Sequence, residues 1–351
     1  MKEINKKAPV MVTGATGYVA GWLVKVLLDS GFTVHAPIRN PNDKNKTQYL
    51  DKLAASAPGT LRYFEADLLR EGSYDKAMQG CELVFHTASP FALKVKDAQR
   101  DLIDPAIEGT RNILNSVNKT ASVKRVLLTS SVAAMYGDNK DLQQLPDHTI
   151  TEEAWNTTSS VGHQPYSYSK TMAEKEAWKM QNQQQRWDLV VINPSLVMGP
   201  GISPEITSES FNIIKQLGDG TMKMGAPDYE IGLVDVRDVA QAHFAAGFTP
   251  TAEGRYIISG HNSGILEISK MLHDAFGDAY PFPTRKIPKF LLWLIGPLAG
   301  FSRKMINYNM GYPFRADNSK SIEELGMSYR PAQVSVVDFF RQMIEKEEVK
   351  K

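Results

Sequence analysis

The stretch "APVMVTGATGYVAGWLVKVLLDSG", residues 8–31, decides the fold. Its first seven residues are an apolar strand pattern, and "AGWLVKVLLDSG" reads as an amphipathic helix closed by Gly31. Between them lie Gly14, Gly17 and Gly21, three and four residues apart. Glycine at a strand-to-helix turn lets the backbone approach a pyrophosphate, and the helix N-terminus favours its charge. The spacing is G-x-x-G-x-x-x-G and not the commoner G-x-G-x-x-G, so three glycines alone would fit any glycine-rich turn. Their place after the first strand and before a long helix makes a dinucleotide the expected ligand. Gly14, Thr16, Gly17, Tyr18 and Val19 are the turn residues expected to meet it.

Further along, apolar runs keep alternating with helical patterns. "FTVHAPIR", "LRYFEADL", "LVFHTAS", "KRVLLTSS" and "DLVVINP" read as strands, with helices such as "IEGTRNILNSVNK" between them. This alternation predicts an α/β fold, a Rossmann-type doubly wound parallel sheet covered on both faces. Pro37 cannot donate to a ladder and predicts a local irregularity in the second strand. After about residue 198 the chain is looser and richer in Gly and Pro; "LVDVRDVAQAH" then reads as a return to the sheet, with Asp238 capping a helix. Residues 1–197, joined again by 232–262, are expected to form the cofactor domain; 198–231 and 263–351 are expected to form a smaller C-terminal substrate-binding lobe. The segment 137–165 is long for a connection, which suggests a lid or binding loop.

Bulk composition narrows the function classes. The 351 residues are 42% apolar and 23% charged, values of a globular chain with room for a proper core. Lys plus Arg number 40 against 39 for Asp plus Glu, so no electrostatic footprint for nucleic acid or an anionic membrane exists. Cys81 is the only cysteine, which excludes an internal disulfide and fits a cytoplasmic location. The N-terminal stretch reads as a lead-in to a strand, not a signal peptide. The apolar segment 288–301 is too short to span a bilayer and is expected to be a buried helix or a subunit contact. The seven histidines show no ligand spacing, so no metal is expected. The acidic pairs Glu152–Glu153 and Glu323–Glu324 read as solvated caps.

The chemistry concentrates at the ends of the strands, where such sheets bind ligands. Arg39 ends the second strand, where the adenosine ribose of a dinucleotide would lie. Arginine there can grip a 2′-phosphate, and Lys44 and Lys46 follow as further cations; the plainer alternative is a solvated basic loop. Asp67, followed by Leu68, either holds the adenine amino group or caps the next helix. Ser130 and Ser131 close the fifth strand, and Tyr166 follows Ser131 by 35 residues. In "YSYSKTMAEKEAW", residues 166–178, side chains four apart lie about 40° apart around a helix and those two apart about 200°. Tyr166 therefore shares a face with Lys170, and Tyr168 does not. A free tyrosine titrates near about 10, and a close ammonium together with an oxidised nicotinamide favours the phenolate. A serine to orient a carbonyl, a tyrosine to move its proton and a lysine beside it are the parts of hydride transfer to a carbonyl.

With "TGATGYVAG", "ADL", "FHTASPF", "LLTSS", "YSYSK" and "NPSLVMGPG" in place, the chain resembles the extended short-chain dehydrogenase/reductases over almost its whole length. Within them it is similar to the branch of dihydroflavonol reductases, cinnamoyl-CoA reductases and fungal methylglyoxal/aldehyde reductases. The resemblance implies NADP(H) as cofactor and a triad of Ser131, Tyr166 and Lys170. It also implies that Thr87, Ala88 and Ser89 line the cofactor, that the backbone around Pro194 and Val197 meets the nicotinamide, and that the C-terminal lobe shapes the substrate pocket.

Two departures bear on the substrate. The chain reads "QPYSYSK" where cinnamoyl-CoA reductases resemble one another in "NWYCYGK", and it has Tyr136 where dihydroflavonol reductases carry asparagine. The expected activity is therefore NADPH-dependent reduction of small or moderately bulky aldehydes and ketones by a monomer or homodimer. A hydroxysteroid dehydrogenase, a nucleotide-sugar epimerase or dehydratase, and a non-enzymatic NADP sensor are the alternatives. The epimerase is expected to carry an acid where Arg39 stands, and the sensor has no need of Tyr166 and Lys170 one turn apart.

Overall fold

The computed structural model describes residues 2–89, 95–203, 208–299 and 301–349, with the backbone alone at 298 and 299. The opening stretch folds as β1 (Val10–Thr13), a glycine turn and α1 (Tyr18–Asp29). All four residues of β1 are buried, as expected of a strand covered on both faces. One stripe of α1 (Ala20, Leu23, Val24, Leu27 and Leu28) is buried at three- and four-residue spacing. Then come β2 (Thr33–Ile38), α2 (Lys44–Ser56), β3 (Thr60–Glu65), the short α3 (Asp75–Met78) and β4 (Leu83–His86). They are followed by α4 (Asp104–Lys119), β5 (Arg125–Thr129), α5 (Pro165–Gln181), β6 (Asp188–Pro194), β7 (Leu196–Met198) and α6 (Glu209–Gly218). Next are β8 (Glu230–Asp235), α7 (Val236–Phe248), β9 (Gly254–Ile258), β10 (His261–Gly264) and α8 (Ile265–Phe276). The chain closes with α9 (Lys289–Ile295), α10 (Arg303–Asn309), α11 (Ser319–Leu325) and α12 (Ala332–Glu345).

Seven strands make one parallel sheet in the order β3-β2-β1-β4-β5-β6-β9. The chain runs outward from β1 to β3 and then returns to place β4 against β1, so the topological switch lies between those two strands. Open α/β sheets bind ligands at the carboxyl ends of the strands beside such a switch. One face is covered by α1 and α7 through Leu23, Leu27, Val239 and Ala246. The other is covered by α4 and α5 through Ile113, Leu114, Val117 and Ala177. A second sheet, β10-β8-β7, packs with α6, α8 and α12 around Ile214, Ile268, Leu272, Val336 and Phe339. The chain re-enters the large sheet only through β9, after α7 has packed against α1.

Four expectations are corrected. β2 stays regular through Pro37, which pairs with Phe64; β1 pairs with β2 only as far as His35, so the missing N–H falls beyond that ladder. The cap of α7 is Asp235, whose Oδ1 accepts from the Arg237 N–H at 2.8 Å. Asp238 lies inside the first turn and accepts instead from the Arg330 N–H. The segment 288–301 is not a buried helix: Phe290 is 70% exposed and Leu294 58%, because α9 lies outside the lobe's core. Finally, Glu152 and Glu324 are tied to β9, Glu152 by accepting from the Ile257 N–H and Glu324 from the Tyr256 hydroxyl. Burial accordingly raises the Glu152 carboxyl above its ordinary range.

Candidate active site

A cleft of about 700 Å³ opens at the switch between β1 and β4. Its floor is the glycine turn. Gly14 has φ +65°, and a Cβ there would lie 3.0 Å from the Ala88 Cα. Any side chain would thus be strained and would push into the wall formed by Thr87, Ala88 and Ser89. The Gly17 N–H closes the turn onto the Gly14 carbonyl at 2.7 Å, and Gly17 caps α1 without any side-chain hydrogen bond. The first turn of α1 contains no acid. Its backbone N–H groups are therefore the anion-binding end of a helix dipole. Gly21 is under no such constraint, since an added Cβ would meet its nearest neighbours at 3.9 Å.

Thr13 fixes the opposite wall. Its hydroxyl oxygen accepts from the N–H groups of Thr87 (3.1 Å) and Ala88 (3.0 Å), and its carbonyl accepts from the Thr87 hydroxyl. The Thr13 hydroxyl proton is left to donate to His86 Nδ1, 3.1 Å away, which places the imidazole proton on Nε2. Burial, followed by the charge of Lys170, lowers His86 to about 3, so the ring is neutral. Thr13 carried no sequence signal, because a threonine at the end of a buried strand is ordinary.

At the far end of the cleft stand Arg39 and Lys46, both exposed, with Asp67 and Leu68 on the floor. One Asp67 oxygen accepts from the Leu69 N–H at 2.9 Å, so it serves as a turn cap while still lining the cleft. Tyr74, Asn40 and Asp43 also line it. Asp43 caps α2, a role that "NPNDKNK" announces; Tyr74 had no signal in the sequence. Burial and then Asp67 raise the Tyr74 phenol, and Arg39 opposes them. Three expected residues sit elsewhere. Lys44 is paired with Asp51 at 3.1 Å and does not line the cleft. The Tyr18 hydroxyl donates to the Gly199 carbonyl at 2.5 Å while its ring stacks on Phe339, and the Val19 side chain packs into the core beneath α1. Only the backbone N–H groups of these two residues face the anion-binding end of the helix.

The second half of the site comes from α5. Gln164, in the left-handed region at φ 54°, is held by Asp138 at 3.1 Å and turns the chain into Pro165, the first helical residue. Proline suits that position because its missing N–H has no helical partner. Tyr166 follows at 49% exposure, and Lys170 lies one turn on with Nζ 5.9 Å from the Tyr166 ring centre. Ser131 stands at the end of β5, its hydroxyl accepting from the Ala133 N–H and donating to the Pro194 carbonyl at 3.4 Å. The turn Val132–Ala134 after it packs against α5. Ser130, by contrast, is buried and gives its hydroxyl to Glu174. Lys170, Ala88 and Ser89 share the wall of a small cavity of about 20 Å³, so the lysine reaches from the helix to the cofactor loop. Pro194 ends β6, and Val197, in β7, pairs with Val234 and packs against the core.

This arrangement fits a dinucleotide: a glycine turn at a helix N-terminus, two cations at one end of the cleft and a tyrosine–lysine pair at the other. A sequence model of the family described as "NAD dependent epimerase/dehydratase family" matches residues 10–258. Cinnamoyl-CoA reductase CAD2 of Medicago truncatula is 36% identical over 99% of this chain and 98% of its own. Among solved structures, Gre2 from Candida albicans in complex with NADPH superposes with a TM-score of 0.77 at 28% identity, covering 97% of this chain and 99% of that one. Yeast methylglyoxal/isovaleraldehyde reductase Gre2, also with NADPH, gives 0.76 at 26% identity over 97% and 99%. The chain belongs to the NAD dependent epimerase/dehydratase family, the extended short-chain dehydrogenase/reductases, within the branch of the cinnamoyl-CoA, dihydroflavonol and Gre2 aldehyde reductases.

Proposed function

We propose that this protein is an NADPH-dependent reductase that converts aldehydes and ketones to alcohols. The observation that carries the reading is the join between the two halves of the site. Lys170, which pairs with Tyr166 on one helix face, also lines the cavity formed by the cofactor loop at Ala88 and Ser89. The named relatives are all reductases, and both Gre2 structures hold NADPH.

When bound in the cleft, NADPH supplies a hydride for the carbonyl carbon. The chain supplies everything else. Gly14 and Gly17 leave room for the pyrophosphate, and the N-terminus of α1 stabilises its charge. Arg39, with Lys46 beside it, meets the 2′-phosphate. The Ser131 hydroxyl donates a hydrogen bond to the substrate carbonyl oxygen and orients it. Tyr166 gives its phenolic proton to that oxygen as negative charge develops there, and the Lys170 ammonium stabilises the phenolate left behind. Residues 137–165, which pack against 309–317 through contacts such as Asn139 with Asn309, form the rim above Tyr166 and select the substrate.

The test is consumption of NADPH, followed at its nicotinamide absorbance, with a panel of aliphatic aldehydes, aromatic aldehydes, diketones and one nucleotide sugar. Turnover of the carbonyls and none of the sugar supports the reading; turnover of the sugar alone overturns it.

A further inference from the structure

One buried acidic side chain lies just behind the residues assigned to catalysis above and takes no part in the chemistry described so far. Glu174 is the third member of a row, one turn beyond Lys170 as Lys170 is one turn beyond Tyr166, and its side chain is 0% exposed. A carboxylate is costly to bury and persists only where every oxygen is matched. Its Oε1 pairs with Arg255 Nε of β9 at 2.7 Å and accepts from the Trp178 indole N–H at 3.3 Å. Its Oε2 accepts from the Ser130 hydroxyl and from Asn193 Nδ2, at 3.0 Å. The same Asn193 amide donates to the carbonyl of Ser131 at 3.1 Å. One side chain thus joins α5, which carries Tyr166 and Lys170, to the end of β5, which carries Ser131, and to β6, which ends in Pro194. A small cavity of about 20 Å³, lined by Lys170, Ser130 and Glu174, separates this network from the cofactor loop at Ala88 and Ser89. Arg255 is held in turn by the carbonyls of Glu152 and Ala154 and by the Trp155 ring, 4.2 Å from its guanidinium carbon.

We propose that Glu174 is a positioning residue for the reductase reaction, fixing the spacing between the serine-bearing end of β5 and the tyrosine–lysine face of α5. A misplacement of about 1 Å between reacting groups costs roughly 10²-fold in rate, so the effect belongs in kcat and not in cofactor affinity. This rests on the assignment of Ser131, Tyr166 and Lys170 made above.

The test uses three full-length variants. Removing Glu174 alone would strand the Arg255 charge in the interior, so Glu174→Gln is combined with Arg255→Gln. Ser130→Ala removes only the hydroxyl that Glu174 receives, and Ser130→Thr restores it, with the neighbouring cavity to take the added methyl. Turnover is counted per NADPH-binding site, so that loss of folded protein does not register. Ser130→Ala should lower kcat about tenfold and the double variant about 10²-fold, with the NADPH Kd within about twofold of wild type and Ser130→Thr recovering most of the loss. Amide exchange should rise in residues 129–134 and 165–171 of Ser130→Ala and stay unchanged in β1 and β4. Wild-type turnover per site together with wild-type exchange in Ser130→Ala overturns the proposal. The exchange measurement needs no substrate. A wild-type protein inert to every carbonyl would therefore overturn the reductase reading, while the exchange pattern would still decide the role of Glu174.

Discussion

In the proposed site, Arg39 and Tyr166 stand at opposite ends of the cofactor and separate binding from chemistry. Arg39 is exposed at the cleft edge. A guanidinium on a phosphate gives charge-assisted bonds of roughly 1.5–3 kcal/mol, or about one to two decades in affinity. Arg39→Ala should therefore weaken NADPH by at least tenfold and leave NADH almost unchanged, as read by titrating both cofactors; equal losses would make the residue structural. Lys46 adds a smaller, salt-screened share, whereas Lys44 should add nothing because it is spent on Asp51. Tyr166→Phe removes one hydroxyl and should lower kcat by about 10²–10⁴-fold with NADPH binding intact. Tyr168→Phe should retain activity, because it faces away from Lys170; the reverse pattern would reassign the acid. The Tyr166–Lys170 pair was legible because helical spacing alone fixes which side chains meet. Thr13, Tyr74 and Glu174 were not, since their roles depend on strands and helices far away in sequence.

At the scale of elements, Gly14 in the turn between β1 and α1 tolerates no side chain. Gly14→Ala places a methyl 3.0 Å from the Ala88 Cα at a φ of +65°, and strain of this kind costs about 1–3 kcal/mol. It should lower the melting temperature and weaken NADPH together, whereas Gly21→Ala should change neither. Two buried imidazoles give a pH signature. His86, at the end of β4, is lowered to about 3 by burial and then by Lys170; His243, in α7, is lowered to about 4 by burial, against which its bond to the Val239 carbonyl acts. In the unfolded chain both take up protons near about 6.5. Between that pH and their folded values the unfolded state holds more protons, so stability is present above pH 6.5 and is lost as the pH falls. Each contributes a slope of about 1.4 kcal/mol per pH unit in that window. Denaturant melts from pH 7 to 4.5 should show this loss, and His243→Gln should flatten part of it; a flat profile in the wild type would contradict the neutral assignment. The strands and helices of the sheet were legible from periodicity, while Pro37 misled because its ladder position depends on where β1 ends.

For the whole molecule, residues 199–201 tie α1, at the cofactor cleft, to α12 near the end of the chain. Tyr18 and Trp22 of α1 donate to the carbonyls of Gly199 and Pro200, and Gln342 of α12 makes two bonds to the backbone of Gly201. The helix whose N-terminus faces the cleft is thus anchored, through residues 199–201, to α12. These ties could not be read from the sequence, because each joins residues more than a hundred positions apart. Nor did the apolar segment 288–301 show its exposure, since a run of Leu, Trp and Ile reads alike in a core and on a surface. Among the described residues no helix is long and apolar enough to cross a membrane. The proposed reaction is direct transfer of hydride to a carbonyl, with Tyr166 as the proton donor. It is tested most directly by supplying NADPH deuterated at the transferring position of the nicotinamide and locating the deuterium in the product by mass spectrometry. The expected product is an alcohol with one deuterium on its carbinol carbon, one per NADPH consumed, its yield collapsing in Tyr166→Phe. A product without deuterium, or an isomerised substrate with no net consumption of NADPH, would contradict it.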